Sequence, residues 1–332
     1  MSIRARVTGT GFFVPDNVVT NDDLAKLINT NDEWIQQRTG IRERRYVPEG
    51  MSNVDMAEHA ATDAMKEAGR TASDVQALLA ATLSPDYTFP SNAPFIQERL
   101  GIRNAPAIDL RNQCTGFLYG LATADVFIRS GRYERVLLVG SEIQSSGMEF
   151  ADRSRDVTVI FGDAAGAFMI EKTEEPDRGI LSFALRGDGR SADDLATRAE
   201  RAYEMPRLSM EIFESEDIWP RMKGRKVFLE AVRELPEIIN KALERAGVTL
   251  DDVDLFAFHQ ANLRINQWVA SSMNIPDEKV WNNIERYGNT TAATIPSVIH
   301  EARQAGFVKD GSLVCAAGFG AGFTSAAVIV RW

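Results

Sequence analysis

The run Ile108-Asp109-Leu110-Arg111-Asn112-Gln113-Cys114-Thr115-Gly116-Phe117 joins two apolar segments of different length. Ala105 to Leu110 is short enough for a strand. Phe117 to Ile128 is apolar nearly all round and too long for one, so it predicts a buried helix stopped at Ser130-Gly131. Cys114 then stands at a strand-to-helix junction deep in the protein. Free backbone N–H groups and the positive end of the helix dipole favour thiolate over thiol at such a place. Free cysteine is also among the most buried residue types, so a small packed hydrophobe fits the same position. The junction alone is compatible with both.

A chain of 332 residues can bury a large core, and its length suggests two domains or one duplicated one. Hydrophobic content of 44% with 25% charged residues is that of an ordinary globular protein. The net charge is −10, and no Lys/Arg run is long enough to suggest nucleic acid as a partner. No apolar stretch reaches membrane-spanning length, and the first residues lack a signal-peptide segment. The two cysteines, Cys114 and Cys315, fit a reducing cytoplasm and no metal-ligand spacing, so no metal is expected.

Arg4 to Gly11 predicts a first strand ending in a glycine turn, followed by capped helices at Asn21 and Asn31. Arg38-Thr39-Gly40-Ile41-Arg42-Glu43-Arg44-Arg45 is a basic stretch beside Trp34, either a solvated loop or a ring-plus-guanidinium clamp for a nucleotide. A helix over Ser52 to Gly69, a strand from Val75 to Thr82, a helix from Pro94 to Leu100 and a strand from Glu134 to Gly140 follow. Val157 to Ala167 reads as two strands hinged by small residues. Alternating strands and helices predict a parallel-sheet α/β architecture.

Ala68-Gly69-Arg70-Thr71-Ala72-Ser73-Asp74-Val75 recurs as Ala246-Gly247-Val248-Thr249-Leu250-Asp251-Asp252-Val253, an offset of 178 between Asp74 and Asp252. Each copy closes a helix and opens an apolar strand, which predicts two similar halves, 1–172 and 173–332, about a pseudo-two-fold axis. Arg190 to Arg221 is irregular and reads as a capping insertion outside the sheets. The glycines of Gly318-Phe319-Gly320-Ala321-Gly322-Phe323 do not make a dinucleotide loop, because another strand rather than a helix follows. They read as positions where backbone N–H groups approach the site closely.

There are three histidines. His59 and His300 lie in amphipathic helical patterns and read as surface or interface residues. His259 follows the apolar strand Asp254 to Phe258, and open α/β sheets place ligand sites at such strand ends; a satisfied core histidine fits there too. Asn289 occupies a third junction, where capping the helix Thr291 to Ala305 is the plainer account. Together, Cys114, His259 and Asn289 supply a nucleophile and two hydrogen-bond donors. Asparagine is neutral and no general base, so the pair suits a developing enolate oxygen. A hydrolase calls instead for a His–Asp pair that activates water.

The chain resembles the β-ketoacyl-acyl-carrier-protein synthase III family of the thiolase superfamily over essentially its whole length. Thr30 to Ile35 with Arg38 to Arg44, Phe161-Gly162-Asp163, Phe258 to Ile265, Gly288-Asn289-Thr290 and Gly320 to Thr324 carry the resemblance. It implies a five-layered αβαβα fold, a homodimer in the cytoplasm, and a decarboxylative Claisen condensation in fatty acid biosynthesis. Cys114 takes an acyl group from acyl-CoA, and His259 and Asn289 hold the enolate of malonyl-acyl carrier protein. CoA thioester and phosphopantetheine act as substrates, and no cofactor is held permanently. By the same resemblance, backbone N–H groups of Cys114 and Ala321 form an oxyanion hole. Trp34 and Arg155 sandwich adenine, while Thr30, Arg38, Asn262 and Arg264 line the CoA and pantetheine tunnel. Phe89 reaches across the dimer to floor the acyl pocket, with Phe228 and Phe319 along the channel.

Asn112-Gln113 stand where the family usually has small residues, which places them at the acyl pocket. Asp156 follows Arg155 where glycine is usual. Ser271 and Ser272 replace basic residues that dock the carrier protein; Arg264, with Arg221, Lys223, Arg225 and Lys226, offers a shifted basic patch. These departures bear on acyl chain length and acceptor. A relative that joins longer acyl chains or acylates another acceptor is the rival reading, and a non-catalytic scaffold subunit the remote one.

Overall fold

Strand β1 (Arg4–Phe13) runs straight through Gly9 and Gly11 instead of ending in a glycine turn. In the computed structural model, which describes residues 3–332, a Cβ on Gly9 would stand 2.1 Å from the carbonyl oxygen of Ala64. One on Gly11 would stand 1.9 Å from that of Ala60. The glycines therefore serve close packing of a helix on the strand, a use of glycine that a turn signal imitates.

The first sheet holds β1, β2 (Ala77–Ala81), β3 (Ala107–Leu110), β4 (Arg135–Glu142) and β5 (Ala164–Thr173) in the order β1-β5-β4-β2-β3. β2 is parallel to β3 and β4, whereas β5 is antiparallel to β4 and β1. The second sheet holds β6 (Gly179–Gly187), β7 (Leu255–Phe258), β8 (Leu313–Gly320) and β9 (Thr324–Arg331) in the order β6-β9-β8-β7. β7 is parallel to β8, and β9 is antiparallel to β8 and β6. An isolated parallel bridge between Phe256 and Val280 stands beyond β7, where β3 stands beyond β2. The second sheet thus follows the strand order of the first, with the edge strand shrunk to one bridge.

Seven helices matter here: α1 (Asp32–Thr39), α2 (Asn53–Glu67), α3 (Asn92–Leu100), α4 (Gly116–Arg129), α5 (Gly224–Ala246), α6 (Leu263–Ser272) and α7 (Thr294–Gln304). Met56, Ala60 and Ile96 of α2 and α3 pack on the outer face of the first sheet against Leu78 and Leu137. Leu118 and Leu121 of α4 and Ile295 and Val298 of α7 lie between the sheets, touching Leu79 and Leu138 on one side and Leu255 and Val314 on the other. Leu235 and Ile239 of α5 and Val269 of α6 cover the outer face of the second sheet over Phe256 and Phe258. The result is a five-layered αβαβα fold, and strands such as β2 are buried at every position because both faces are covered.

Three sequence expectations meet local departures. Val157 to Ala167 is not two strands: Arg155–Thr158 is one helical turn, and regular pairing starts only at Ala164. Between them Asp163 is buried, and its carboxylate takes the N–H groups of Gln144, Ser145 and Val47 at 2.7 to 2.9 Å. That hub replaces a ladder, and Phe161 makes one isolated parallel bridge, to Asn289. Nor is Arg38 to Arg45 a solvated loop throughout. Arg44 is fully buried and donates to Asn21 Oδ1 at 2.8 Å and the Val159 carbonyl at 2.9 Å. His300, expected at the surface or an interface, is half-buried with Nδ1 3.0 Å from Thr10 Oγ1, and burial pushes its pKa down.

Residues 190–221 stay outside both main sheets. Leu195–Ala196 pairs with Arg221–Met222 to close the base of an excursion whose tip exposes Tyr203, Met205 and Phe213. Among the described residues no helix is long and apolar enough to cross a membrane.

Candidate active site

Three chain reversals converge because α4 and α7 share the middle layer and both begin at the same end of the sheets. β3 ends at Leu110, a 3-10 turn spans Gln113–Thr115, and α4 starts at Gly116. Gln113 holds φ at +45°, a left-handed conformation that costs a side-chain-bearing residue about 1–3 kcal/mol. The turn directs Cys114 toward β8, where a Cβ on Gly320 would stand 2.9 Å from that of Cys114. Gly318 lies between Cys114 and His259: its Cβ would meet the Cys114 carbonyl oxygen at 3.8 Å and the His259 Cβ at 3.3 Å. The close approach expected of these glycines is the arrangement found.

His259 follows β7 directly, with its N–H donating to the Ala317 carbonyl at 2.8 Å. Its Nδ1 lies 2.6 Å from Thr294 Oγ1, and that hydroxyl reaches the Thr291 carbonyl at 2.9 Å. Nε2 is buried and has no partner among the described residues. Asn289 combines the two accounts its sequence position allows. Its Oδ1 caps the turn by accepting from Thr291 N–H at 2.9 Å, which leaves the amide NH2 as its free polar end. Thr291 is itself left-handed, with φ at +50°, an outlier for a β-branched residue. Strained backbone thus sits in two of the three turns that deliver chemistry, those of Cys114 and Asn289.

Cys114, His259 and Asn289 line one cavity of about 100 Å³, walled by Ile160, Phe161, Val227, Phe228, Phe319 and Gly320, with Asn262 at its side. All three are buried. Burial pushes the Cys114 thiol up to about 12, and the Glu142 carboxyl adds to the rise. The N–H groups of Ala321 and of Cys114 itself pull the other way, but less. The thiolate expected from the helix start is therefore not the resting form, since no cation compensates the loss of water. Burial also lowers His259 to about 3, so its imidazole is neutral. Glu142, missed at the sequence level, is fully buried and lifted by burial to about 7. It accepts from Ser84 Oγ at 2.6 Å and from the N–H groups of Leu83 and Ser84 at 3.2 Å. A strand-end glutamate after an apolar run was its only signal. Thr294 gave none, because its partner is 35 residues away.

The remaining expected site residues divide. Phe228, Phe319 and Asn262 reach the cavity. Asn112 and Gln113 are not among the residues that line it: Asn112 Nδ2 turns to Thr115 Oγ1 at 3.3 Å, and the two residues shape the nucleophile's turn. Trp34, Arg38 and Arg155 cluster outside, with guanidinium carbons 5.3 Å (Arg38) and 4.2 Å (Arg155) from the Trp34 ring centroid. Arg155 also donates to the Asn29 carbonyl at 3.1 Å, beside Thr30. Asn262 ties this cluster to α6: its Nδ2 donates to the Arg38 carbonyl at 2.9 Å and its Oδ1 accepts from Arg264 N–H at 2.9 Å. Phe89 is 88% exposed and takes no part in the cavity of its own chain. Of the shifted basic patch, Lys223 and Lys226 are ion-paired to Asp194 and Arg221 to Glu149, which leaves Arg225 and Arg264 as its exposed cations without an ion pair among the described residues.

A buried cysteine at the start of a central helix, with an imidazole and a carboxamide across an apolar cavity in a five-layered αβαβα fold, defines a condensing enzyme that transfers acyl groups. Comparison with known proteins gives the family. The family model for 3-oxoacyl-[acyl-carrier-protein] synthase III matches residues 108–189 and that for its C-terminal part residues 243–332. The β-ketoacyl-[acyl-carrier-protein] synthase III of Oceanobacillus iheyensis is 42% identical over 326 residues, covering 98% of each chain, and that of Geobacillus kaustophilus is 42% identical over 328 residues, covering 99% of each. The crystal structure of the 3-oxoacyl-[acyl-carrier-protein] synthase III of Aquifex aeolicus superposes with a TM-score of 0.91 at 39% identity, covering 99% of this chain and 100% of that one. The chain belongs to the β-ketoacyl-acyl-carrier-protein synthase III family.

Proposed function

We propose that this chain loads an acyl group from acyl-CoA onto Cys114 and condenses it with the enolate formed by decarboxylation of malonyl-acyl carrier protein, giving a 3-oxoacyl thioester. The observation that carries the reading is the single apolar cavity shared by Cys114, His259 and Asn289. Sulfur attack on the acyl thioester yields an acyl-enzyme, and the N–H groups of Cys114 and Ala321, which already favour negative charge at the sulfur, receive the oxyanion. Decarboxylation then builds negative charge on the malonyl thioester oxygen, which the Asn289 amide and the His259 ring edge face. Apolar walls strengthen those contacts by excluding water. No resident cofactor is needed, because CoA and phosphopantetheine arrive as part of the substrates.

Trp34, Arg38, Thr30 and Arg155 suit the adenine end of CoA, with Asn262 and Arg264 along the pantetheine path. Arg264 and Arg225, with Lys226 half-neutralised by Asp194, suit an acidic carrier protein. We read the chain as two thiolase-like halves, 1–172 and 173–332, and as a cytoplasmic homodimer. In support of the dimer, β3 is a sheet edge with exposed Ile108, and exposed Phe89 projects nearby without a partner in its own chain. A second reading, priming of a specialised pathway, draws on a likeness to the priming β-ketosynthase of the R1128 polyketide biosynthetic pathway, 30% identical with a TM-score of 0.90. Intact-protein mass spectrometry after exposure to acyl-CoAs of graded length tests both. A covalent acyl adduct that disappears in Cys114→Ser is expected, and an undiminished adduct on that variant removes Cys114 as the acceptor.

A further inference from the structure

The Thr294 hydroxyl has one proton and two neighbours that compete for it. Oγ1 lies 2.6 Å from His259 Nδ1 and 2.9 Å from the Thr291 carbonyl oxygen. A carbonyl only accepts, so when the hydroxyl donates to Thr291 it must accept from His259, and the imidazole proton is then on Nδ1. That arrangement satisfies all three groups. The opposite one gives up that side-chain bond and leaves the Thr291 carbonyl with the Thr294 N–H as its donor. The Thr291 carbonyl is in turn aimed at Thr294 by the left-handed backbone of Thr291, which Asn289 Oδ1 holds through its N–H. With the proton on Nδ1, Nε2 carries a lone pair, and Nε2 is buried without a partner among the described residues, on a ring that lines the cavity shared with Cys114.

We propose that Thr294 is the positioning residue that makes His259 the proton acceptor for Cys114 during acyl loading. The inference rests on the proposed roles of Cys114 and His259 and adds the element that fixes the ring's tautomer. As the sulfur–carbon bond to the acyl group forms, the thiol proton passes from Sγ to Nε2. As the thioester bond to CoA breaks, that proton passes from Nε2 to the departing CoA sulfur, and the ring returns to its Nδ1–H form. Protons and electrons balance with no further reactant. The raised thiol pKa supports the need for such a base, because the helix start alone does not hold the sulfur ionised.

The test compares Thr294→Val and Thr294→Ser in two separated half-reactions. Loading is followed by single-turnover transfer from the acyl-CoA that labels the parent enzyme fastest; decarboxylation of malonyl-acyl carrier protein is followed in a Cys114→Ala background. Valine keeps the volume and removes the hydroxyl, so loading falls on the order of 10²-fold while decarboxylation falls far less, and serine restores loading to within about threefold. In the parent, 15N NMR of the His259 ring shows the proton on Nδ1. Parent-like loading by the valine variant, equal losses in both half-reactions, a serine variant that fails to recover, or an Nε2–H ring in the parent each overturns the proposal. His259→Ala separates the layers: if it loads and condenses like the parent, the underlying site reading fails, whereas if it is inactive and Thr294→Val loads normally, only the role of Thr294 fails.

Discussion

The Arg155 guanidinium carbon stands 4.2 Å from the centroid of the Trp34 ring, in direct stacking contact. A base held between ring and guanidinium needs two such contacts of about 3.5–4 Å each, a separation of about 7–8 Å. The clamp is therefore closed on itself, and Arg155 must release the Asn29 carbonyl and swing away for a nucleotide to stack. Binding of acyl-CoA should change Trp34 fluorescence. Trp34→Ala should raise KM for acyl-CoA roughly tenfold, the scale of one stacking contact, and leave the rate constant of the chemical step within about twofold. An unchanged KM, or a loss confined to kcat, removes the clamp from CoA binding.

Asn289 separates capping from catalysis within one side chain. Asn289→Asp keeps an oxygen to accept from Thr291 N–H and so preserves the turn, but it replaces the amide donor with a carboxylate facing the developing enolate. Decarboxylation should drop on the order of 10²–10³-fold, with acyl loading much less affected and the melting temperature close to that of the parent. Equal losses in both half-reactions would show that the amide does not serve the enolate. His259→Ala should depress both steps, because its ring lines the cavity that holds Cys114.

The layered fold was legible because parallel strands covered on both faces read as continuous apolar runs, as in Leu78 to Ala81, and because Cys114, His259 and Asn289 each follow or precede such a run. What escaped was local electrostatics and backbone accommodation. Gly9 and Gly11 mimic a turn but serve helix packing, and Arg44 belongs to a charged string yet is buried by three oxygen partners. Thr294 and Glu142 acquire their roles through contacts 35 and about 60 residues away in the chain, which periodicity cannot register. The thiol pKa failed for a related reason. A helix start is visible in sequence, but the dryness of the cavity around it is not.

Burial lifts the Glu142 carboxyl to about 7, above the usual range of about 4.3 for an unfolded glutamate. Folding therefore favours the protonated form, and this contribution is complete at low pH. It declines as pH rises from the unfolded value and is lost on passing the folded one, by an amount on the order of a few kcal/mol. Glu142→Gln removes the titration while keeping one accepting oxygen for Ser84. The melting-temperature gap between parent and variant should therefore move in the variant's favour between about pH 5 and pH 8. A gap independent of pH shows that the carboxyl does not titrate in that window. His259, lowered to about 3, acts with the opposite sign, costing stability as pH falls below about 6.5, and it cancels in the difference.

Gly320→Ala probes how closely β8 must approach the nucleophile. Its Cβ would stand 2.9 Å from the Cys114 Cβ and 3.3 Å from the Cys114 nitrogen, one of the two N–H groups assigned to the oxyanion. Neither is the far end of a flexible side chain, so the turn itself must shift, at about 1–3 kcal/mol of stability. Gln113 already holds a left-handed backbone at the edge of that turn, so the displacement should fall on the placement of Cys114. Loading should therefore fall by about 10²-fold or more, as misplacement of reacting groups by an ångström implies. Thermal stability should drop by only a few degrees. A variant that keeps parent-like loading would show that Cys114 tolerates displacement and that the strained turn is not what positions it.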